Sequence, residues 1–390
     1  MKRTALPLFL ALAALVPAQV LGDVSAPAAQ PVPPLVERVP VALLVDLSAG
    51  QTLYARNAER RFLPASITKA MTALVAFDLM AAGKLSEDSI YRIRPQTAAR
   101  WSGKGTTLAL RGGEAVSVRD LLMGVTTVSA NDAAVELAEG ALGSTEAWTA
   151  AMNARAALLG MDASHFATPN GFPDHGQTRV NARDLVRLAQ ALLTEHPVLY
   201  RRYFGHRAML WRGQSLQSHD PFAASVLPGA DGIKTGHTFE AGFNFLGAVE
   251  RDGRRLVLVI AGAQNEDLRA KASIGLAEWG YGAWDSRPLL KAGEVIGSAQ
   301  VQDGDARSVE LFAPRAFSIA VPRGTAPKVA TRIVYYGPLR APFVKGAVVA
   351  GLAVEVEGQP VHYLPLVTAR GVNKAGPIDR IVNGLLGLLR

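Results

Sequence analysis

Ser66 and Lys69 stand three residues apart in Pro64-Ala65-Ser66-Ile67-Thr68-Lys69. Proline suits the first turn of a helix, so this phrase predicts a helix starting near Ser66. Positions i and i+3 share a helix face, which brings the Lys69 amine within reach of the Ser66 hydroxyl. A serine hydroxyl is a poor nucleophile until a base takes its proton. A lysine can be that base once burial or a nearby cation lowers its pKa. The chemistry on offer is acyl transfer through a Ser66 ester. Alone the pair is a weak signal, since Ser-x-x-Lys is expected about once by chance in a chain this long.

Two further phrases add polar groups of the right kind. Ser129-Ala130-Asn131 falls between two predicted helices, 63 residues after Ser66. Its hydroxyl can relay a proton, and its amide can hold a substrate carbonyl or orient a lysine. By itself it reads equally as a plain helix N-cap. Asp231-Gly232-Ile233-Lys234-Thr235-Gly236-His237-Thr238 reads as a strand lining a cleft. Lys234 supplies fixed positive charge, Thr235 can donate to a carboxylate, and Gly236 allows a ligand backbone to come close. Each phrase has a bland alternative: an exposed helix start, a cap, a surface strand. Their occurrence together and in this order does not.

The elements that must position these groups form an α+β pattern. Val41–Val45 and Gln51–Ala55 flank a turn and predict a hairpin. Helical stretches follow over 66–82, 118–125, 130–142, 145–159 and 182–193. A second hairpin spans 243–263, turning at Glu250–Gly253, and 268–279 is helical again. Strands at both ends of a helical middle predict that the two ends meet in one sheet. After about Trp284 the texture becomes β-rich. Short runs at 308–311, 317–321, 331–336, 353–356 and 361–365 predict a small all-β, sandwich-like domain. Residues 376–390 alternate apolar and polar groups as a short amphipathic helix would.

Composition removes several classes of protein. There is no cysteine, so disulfides, a thiolate nucleophile and Cys-based metal sites are excluded. No metal or cofactor site is read from the motifs. The 390 residues carry a formal net charge of +8. Residues 1–22 hold two basic and no acidic side chains, residues 23–285 hold 26 of each, and residues 286–390 hold 13 basic and 7 acidic. The part bearing the motifs is therefore neutral, which argues against a nucleic-acid partner. Met1-Lys2-Arg3, the apolar run Ala5–Val16 and the small residues after it predict a secretory signal over 1–22, with cleavage between 18 and 26. Residues 27–38 are a Pro-rich lead-in, expected to be extended or disordered.

In the order Ser-x-x-Lys, Ser-x-Asn, Lys-Thr-Gly, the chain resembles the low-molecular-weight penicillin-binding proteins of the serine D-alanyl-D-alanine carboxypeptidase type. The resemblance rests on Pro64–Lys69, Ser129–Ala133 and Asp231–Thr238. It covers about 39–284 as a β-lactamase/transpeptidase-like domain, with an antiparallel sheet and a helical subdomain. More weakly it reaches the β-rich 285–375 and the helix at 376–390. It implies that Ser66 is acylated, that Lys69 is the general base and that Ser129 passes the proton to the departing D-alanine. It further implies that Asn131 holds substrate and Lys69, that Lys234 binds substrate and lowers the Lys69 pKa, and that Thr235 meets the terminal carboxylate. The backbone N–H groups of Ser66 and His237 would form the oxyanion hole, and Arg269 resembles an arginine near the carboxylate site. The implied partners are a peptidoglycan pentapeptide, β-lactams as covalent inhibitors, and the inner membrane surface through the terminal helix. The implied location is the periplasm of a Gram-negative bacterium.

Rival readings share the fold. A class A β-lactamase needs a carboxylate for deacylation, usually within Glu-x-x-Leu-Asn, and no such stretch lies between Asn131 and Lys234. A class C enzyme has Tyr in place of Ser129. A D,D-endopeptidase has a similar motif pattern. A non-catalytic envelope binder would not need all three motifs intact.

Overall fold

The computed structural model describes residues 30–225 and 227–376. The segment read above as a signal sequence, and all but residue 376 of the amphipathic helix read at 376–390, lie outside these residues. The described chain divides into two compact units by contact density.

The first unit is built on a five-stranded antiparallel sheet. Its strands are β1 (Val41–Asp46), β2 (Gln51–Arg56), β3 (Ala230–Thr238), β4 (Gly242–Arg251) and β5 (Arg254–Ala263), in the spatial order β2-β1-β5-β4-β3. The early and late strands do meet, through β1 against β5. β5 is buried over most of its length, as its run Leu-Val-Leu-Val-Ile-Ala requires of a central strand. β3 lies at an edge, so one side of it remains free to pair with another backbone.

The longer helices are α1 (Thr68–Ala81), α2 (Asn131–Leu142), α3 (Thr145–Leu158), α4 (Ala182–Glu195) and α5 (Glu266–Gly282). α1 is apolar all round, and Thr68 through Phe77 are all buried, so it is the central helix of the core. α3, α4 and α5 are capped by side chains their sequences supply. Ser144, Asn181 and Asn265 each accept from the backbone N–H three residues on. Two corrections arise in this unit. The Pro-rich lead-in contains a helical turn, Pro34–Glu37, because proline favours a first helical turn as well as extension. The short hairpins Ile90–Arg92/Ala115–Ser117 and Ala208–Trp211/Gln214–Gln217 went unread, being too short to show a period of two.

The second unit is all β. Strands Val295–Gln302, Ser308–Phe312, Val329–Val334, Val348–Val356 and His362–Thr368 form a mainly antiparallel sheet, joined in parallel by Leu339–Arg340. Trp284–Leu290 and Phe317–Pro322 form a separate two-stranded sheet. Phe317, Ile319 and Val321 share one core with Leu311, Leu352 and Leu366.

Candidate active site

Ser66 sits in a 3-10 turn, Ala65–Ile67, that runs directly into α1. Three contacts hold this turn in place. A Cβ at Gly236 would collide with the Pro64 carbonyl oxygen and come within 3.2 Å of the Ser66 nitrogen. A Cβ at Gly171 would collide with the Ala65 carbonyl. Asn244, fully buried on β4, donates to the Leu63 carbonyl at 2.9 Å and accepts from Gly262 N at 2.8 Å. Ala65 itself has φ of 50°, a left-handed conformation that a non-glycine residue holds only when its surroundings enforce it. Gly236 thus has a second reason to be glycine besides the ligand approach read from the sequence. A tight approach there is made by the chain's own nucleophile turn, and Gly236 also lines the cleft.

Lys69 is completely buried. Its Nζ donates to Ser66 Oγ at 2.8 Å, to Asn131 Oδ1 at 2.8 Å and to the Asn170 carbonyl at 2.7 Å. These three partners fix the amine's position, and once it is neutral its lone pair can accept from the Ser66 hydroxyl. Burial holds the Lys69 pKa well below that of a free lysine, the Lys234 charge lowers it further, and Asp132 opposes both. Asn131 begins α2, and its Nδ2 donates to the Lys104 carbonyl at 3.0 Å. Both ends of its amide are thus occupied by protein. Asp132 beside it accepts from Leu108 N, Leu110 N and Ala133 N, pinning the 104–110 loop to α2.

Ser129 is no ordinary loop residue between helices. The segment Gly124–Val128 is a π-turn, and Ser129 ends it in a left-handed conformation with φ 70°. Such wide turns re-aim the residue that follows. Here that residue lines the same cleft as Ser66.

The cleft has a volume of about 430 Å³, and Ser66, Ser129, Asn131, Thr235, Gly236, His237 and Arg269 all line it. Lys234 is buried behind it and donates to the Thr235 carbonyl at 3.2 Å. Burial brings the Lys234 pKa down to about 7, with Asp220 resisting and Arg269 reinforcing the shift. The charge expected to be fixed is therefore conditional near neutral pH. His237 is exposed and stacks on Phe243 with ring centroids 3.9 Å apart. Arg269 is buried in the cleft wall, not displayed on a helix surface. Its Nη2 donates to Glu266 at 2.7 Å and to the His219 carbonyl at 3.2 Å.

Sequence reading missed Asn170, Asp132, Asp220, His219 and Asn244. Asn170 acts through its carbonyl, which any residue type would supply. Asp220 has its pKa raised to about 6 by burial, yet it lies in a stretch with no motif. Asp132 had a signal, adjoining Ser-x-Asn at a helix start.

A buried lysine whose pKa is held well below its usual value, beside a serine hydroxyl, above an edge strand and with a second buried lysine behind, is equipped for acyl transfer to serine. Comparison with known proteins gives a consistent picture. The family described as D-alanyl-D-alanine carboxypeptidase matches residues 32–265, and the penicillin-binding protein 5 C-terminal domain matches residues 284–374. D-alanyl-D-alanine carboxypeptidase DacD of Salmonella typhimurium is 30% identical over 343 residues, covering 87% of each chain. Penicillin-binding protein 5 from Haemophilus influenzae is 28% identical, with a TM-score of 0.73 over 86% of this chain and 98% of that one. Penicillin-binding protein D2 from Listeria monocytogenes, solved in its ampicillin-bound form, is 29% identical. Its TM-score is 0.56, and the match covers 65% of this chain and all of that one.

Proposed function

The chain belongs to the D-alanyl-D-alanine carboxypeptidase family, and from that premise we propose how its own residues divide the work. It is a serine-type D-Ala-D-Ala carboxypeptidase, a hydrolase of the penicillin-binding class. Neutral Lys69 takes the Ser66 proton as Oγ attacks the carbonyl of the penultimate D-alanine. The carbonyl oxygen becomes an oxyanion, received by the backbone N–H groups of Ser66 and His237. The C–N bond then breaks, and Ser129 relays the proton from Lys69 to the departing amine of the last D-alanine, which leaves Lys69 neutral and the Ser129 hydroxyl intact. Water hydrolyses the Ser66 ester, returning the hydroxyl and releasing the shortened peptide. Lys234, Thr235 and Arg269 hold the terminal carboxylate, and Asn131 fixes Lys69 against Ser66. A β-lactam would acylate the same Ser66 oxygen.

The observation that carries this reading is the Lys69 amine, wholly buried and 2.8 Å from Ser66 Oγ. The test is fluorescent penicillin labelling together with D-alanine release from a stem pentapeptide. Both should vanish in Ser66→Ala.

The same proposal extends to location. The predicted secretory signal, the basic excess over 286–390 and the apolar pattern of 378–390 support a periplasmic enzyme held at an anionic membrane surface. No helix among the described residues is long and apolar enough to cross a membrane. Deleting 378–390 should shift the protein into the soluble fraction.

A further inference from the structure

A second cavity of about 600 Å³ adjoins the catalytic cleft, and the two share His237 and Phe243 in their walls. Its floor is apolar, formed by Phe62, Leu63 and the ends of β1 and β5. Its charged groups are Arg60, Arg61, Arg179 and Glu240, three cations against one carboxylate. All three arginines are exposed, and among the described residues no carboxylate lies within ion-pairing distance of any of them. Other arginines of this unit are engaged in ion pairs. Arg183 pairs with Glu59, Arg212 with Glu114 and Arg255 with Asp231. Phe239, in the turn between β3 and β4, borders the same cavity and is fully exposed. A cluster of guanidinium groups beside apolar surface is matched to a ligand that carries carboxylates on an aliphatic frame.

The place of this cavity says which ligand. β3 is an edge strand whose residues 235–238 border the catalytic cleft. An extended peptide lying along it by β-addition, with a carbonyl at Ser66, passes out of the cleft over His237 at one end. That exit opens onto the arginine-lined cavity. The geometry points to a subsite for the part of the substrate N-terminal to the scissile pair, one that recognises its free carboxylates and makes the enzyme prefer acidic stem peptides to amidated ones. This inference rests on the carboxypeptidase reading above for the direction in which the peptide lies.

The test uses the full chain and two pentapeptides ending in D-Ala-D-Ala. They are identical except that the carboxylates N-terminal to the scissile pair are free in one and amidated in the other. The wild type should show a kcat/KM about tenfold or more higher for the free acid, as charge-assisted hydrogen bonds of this kind discriminate. The triple variant Arg60→Gln, Arg61→Gln, Arg179→Gln should bring the ratio near one by losing activity on the free acid alone. Its labelling by fluorescent penicillin should stay at the wild-type rate, which also shows that the site is folded. Phe239→Ala supplies a second variant, expected to weaken both peptides through KM with kcat unchanged. A wild-type ratio near one, a ratio unmoved by the triple variant, or an equal loss on both peptides would overturn the subsite. A binding arm separates this outcome from failure of the carboxypeptidase reading. Ser66→Ala protein is titrated with the labelled free-acid tripeptide that lacks both alanines. Binding that the triple variant weakens tenfold supports the subsite even where no D-alanine is released, and binding it leaves unchanged contradicts it.

Discussion

Lys69 and Asn131 are 62 residues apart in sequence and meet through a hydrogen bond of 2.8 Å, Nζ to Oδ1. The bond joins the first turns of α1 and α2, and its far end is tied by Asn131 Nδ2 to the Lys104 carbonyl. The base is thereby aimed at Ser66 by a side chain tied to the protein at both its oxygen and its nitrogen.

Asn131→Ala should slow acylation by penicillin about 100-fold, the order of loss expected when a catalytic group drifts by an ångström. Stopped-flow labelling measures the rate, and thermal denaturation checks that the fold survives. An unchanged rate would show that Asn170 and Ser66 alone suffice to hold Lys69.

The pH dependence follows from two lysines with opposite needs. Lys69 must be neutral, so acylation should rise with pH through its lowered pKa. Lys234 must be charged, so acylation should fall as pH climbs through about 7. Lys234→Arg should flatten the alkaline limb, because a guanidinium keeps its proton. Asp220→Asn removes the charge that props up Lys234 and should move that limb to lower pH. The profile of kcat/KM between pH 5 and 10 decides both.

Gly236→Ala should abolish acylation and destabilise the first unit by about 1–3 kcal/mol, the usual cost of overpacking a filled site. The added methyl meets Pro64 and the nucleophile turn, not solvent. Urea unfolding and penicillin labelling measured together would detect it. A variant that still labels at the wild-type rate would show that the turn can yield.

His362 is 3% exposed in the all-β unit, and neither ring nitrogen has a partner. Burial lowers its pKa from 6.5 to about 4. Below 6.5 the unfolded chain takes up a proton that the folded chain refuses. Stability is therefore complete above pH 6.5 and is lost as pH falls towards 4, by up to about 3 kcal/mol. His362→Leu should remove this acid sensitivity. Urea titrations at pH 4.5 and 7.5 test it.

The sequence carried the long elements because their periods were long enough to read. α1, α2, α3 and the β4–β5 hairpin lie within a few residues of expectation. The three motifs likewise come together around one cleft, since each marks a place where backbone and side chain are both constrained. What stayed hidden has a common cause. The Asn170 carbonyl, the π-turn before Ser129 and the left-handed Ala65 are backbone facts that no residue type announces. The Asp220 and Arg269 charges matter only because folding buries them beside Lys234. Their effect is tertiary and has no period.

The central claim is that Ser66 carries the acyl group while one D-alanine leaves. Mass spectrometry of a disaccharide pentapeptide incubated with the enzyme tests it most directly. The wild type should remove the mass of one alanine, and Ser66→Ala should leave the peptide intact. Release of alanine by Ser66→Ala at a rate near that of the wild type would contradict the account.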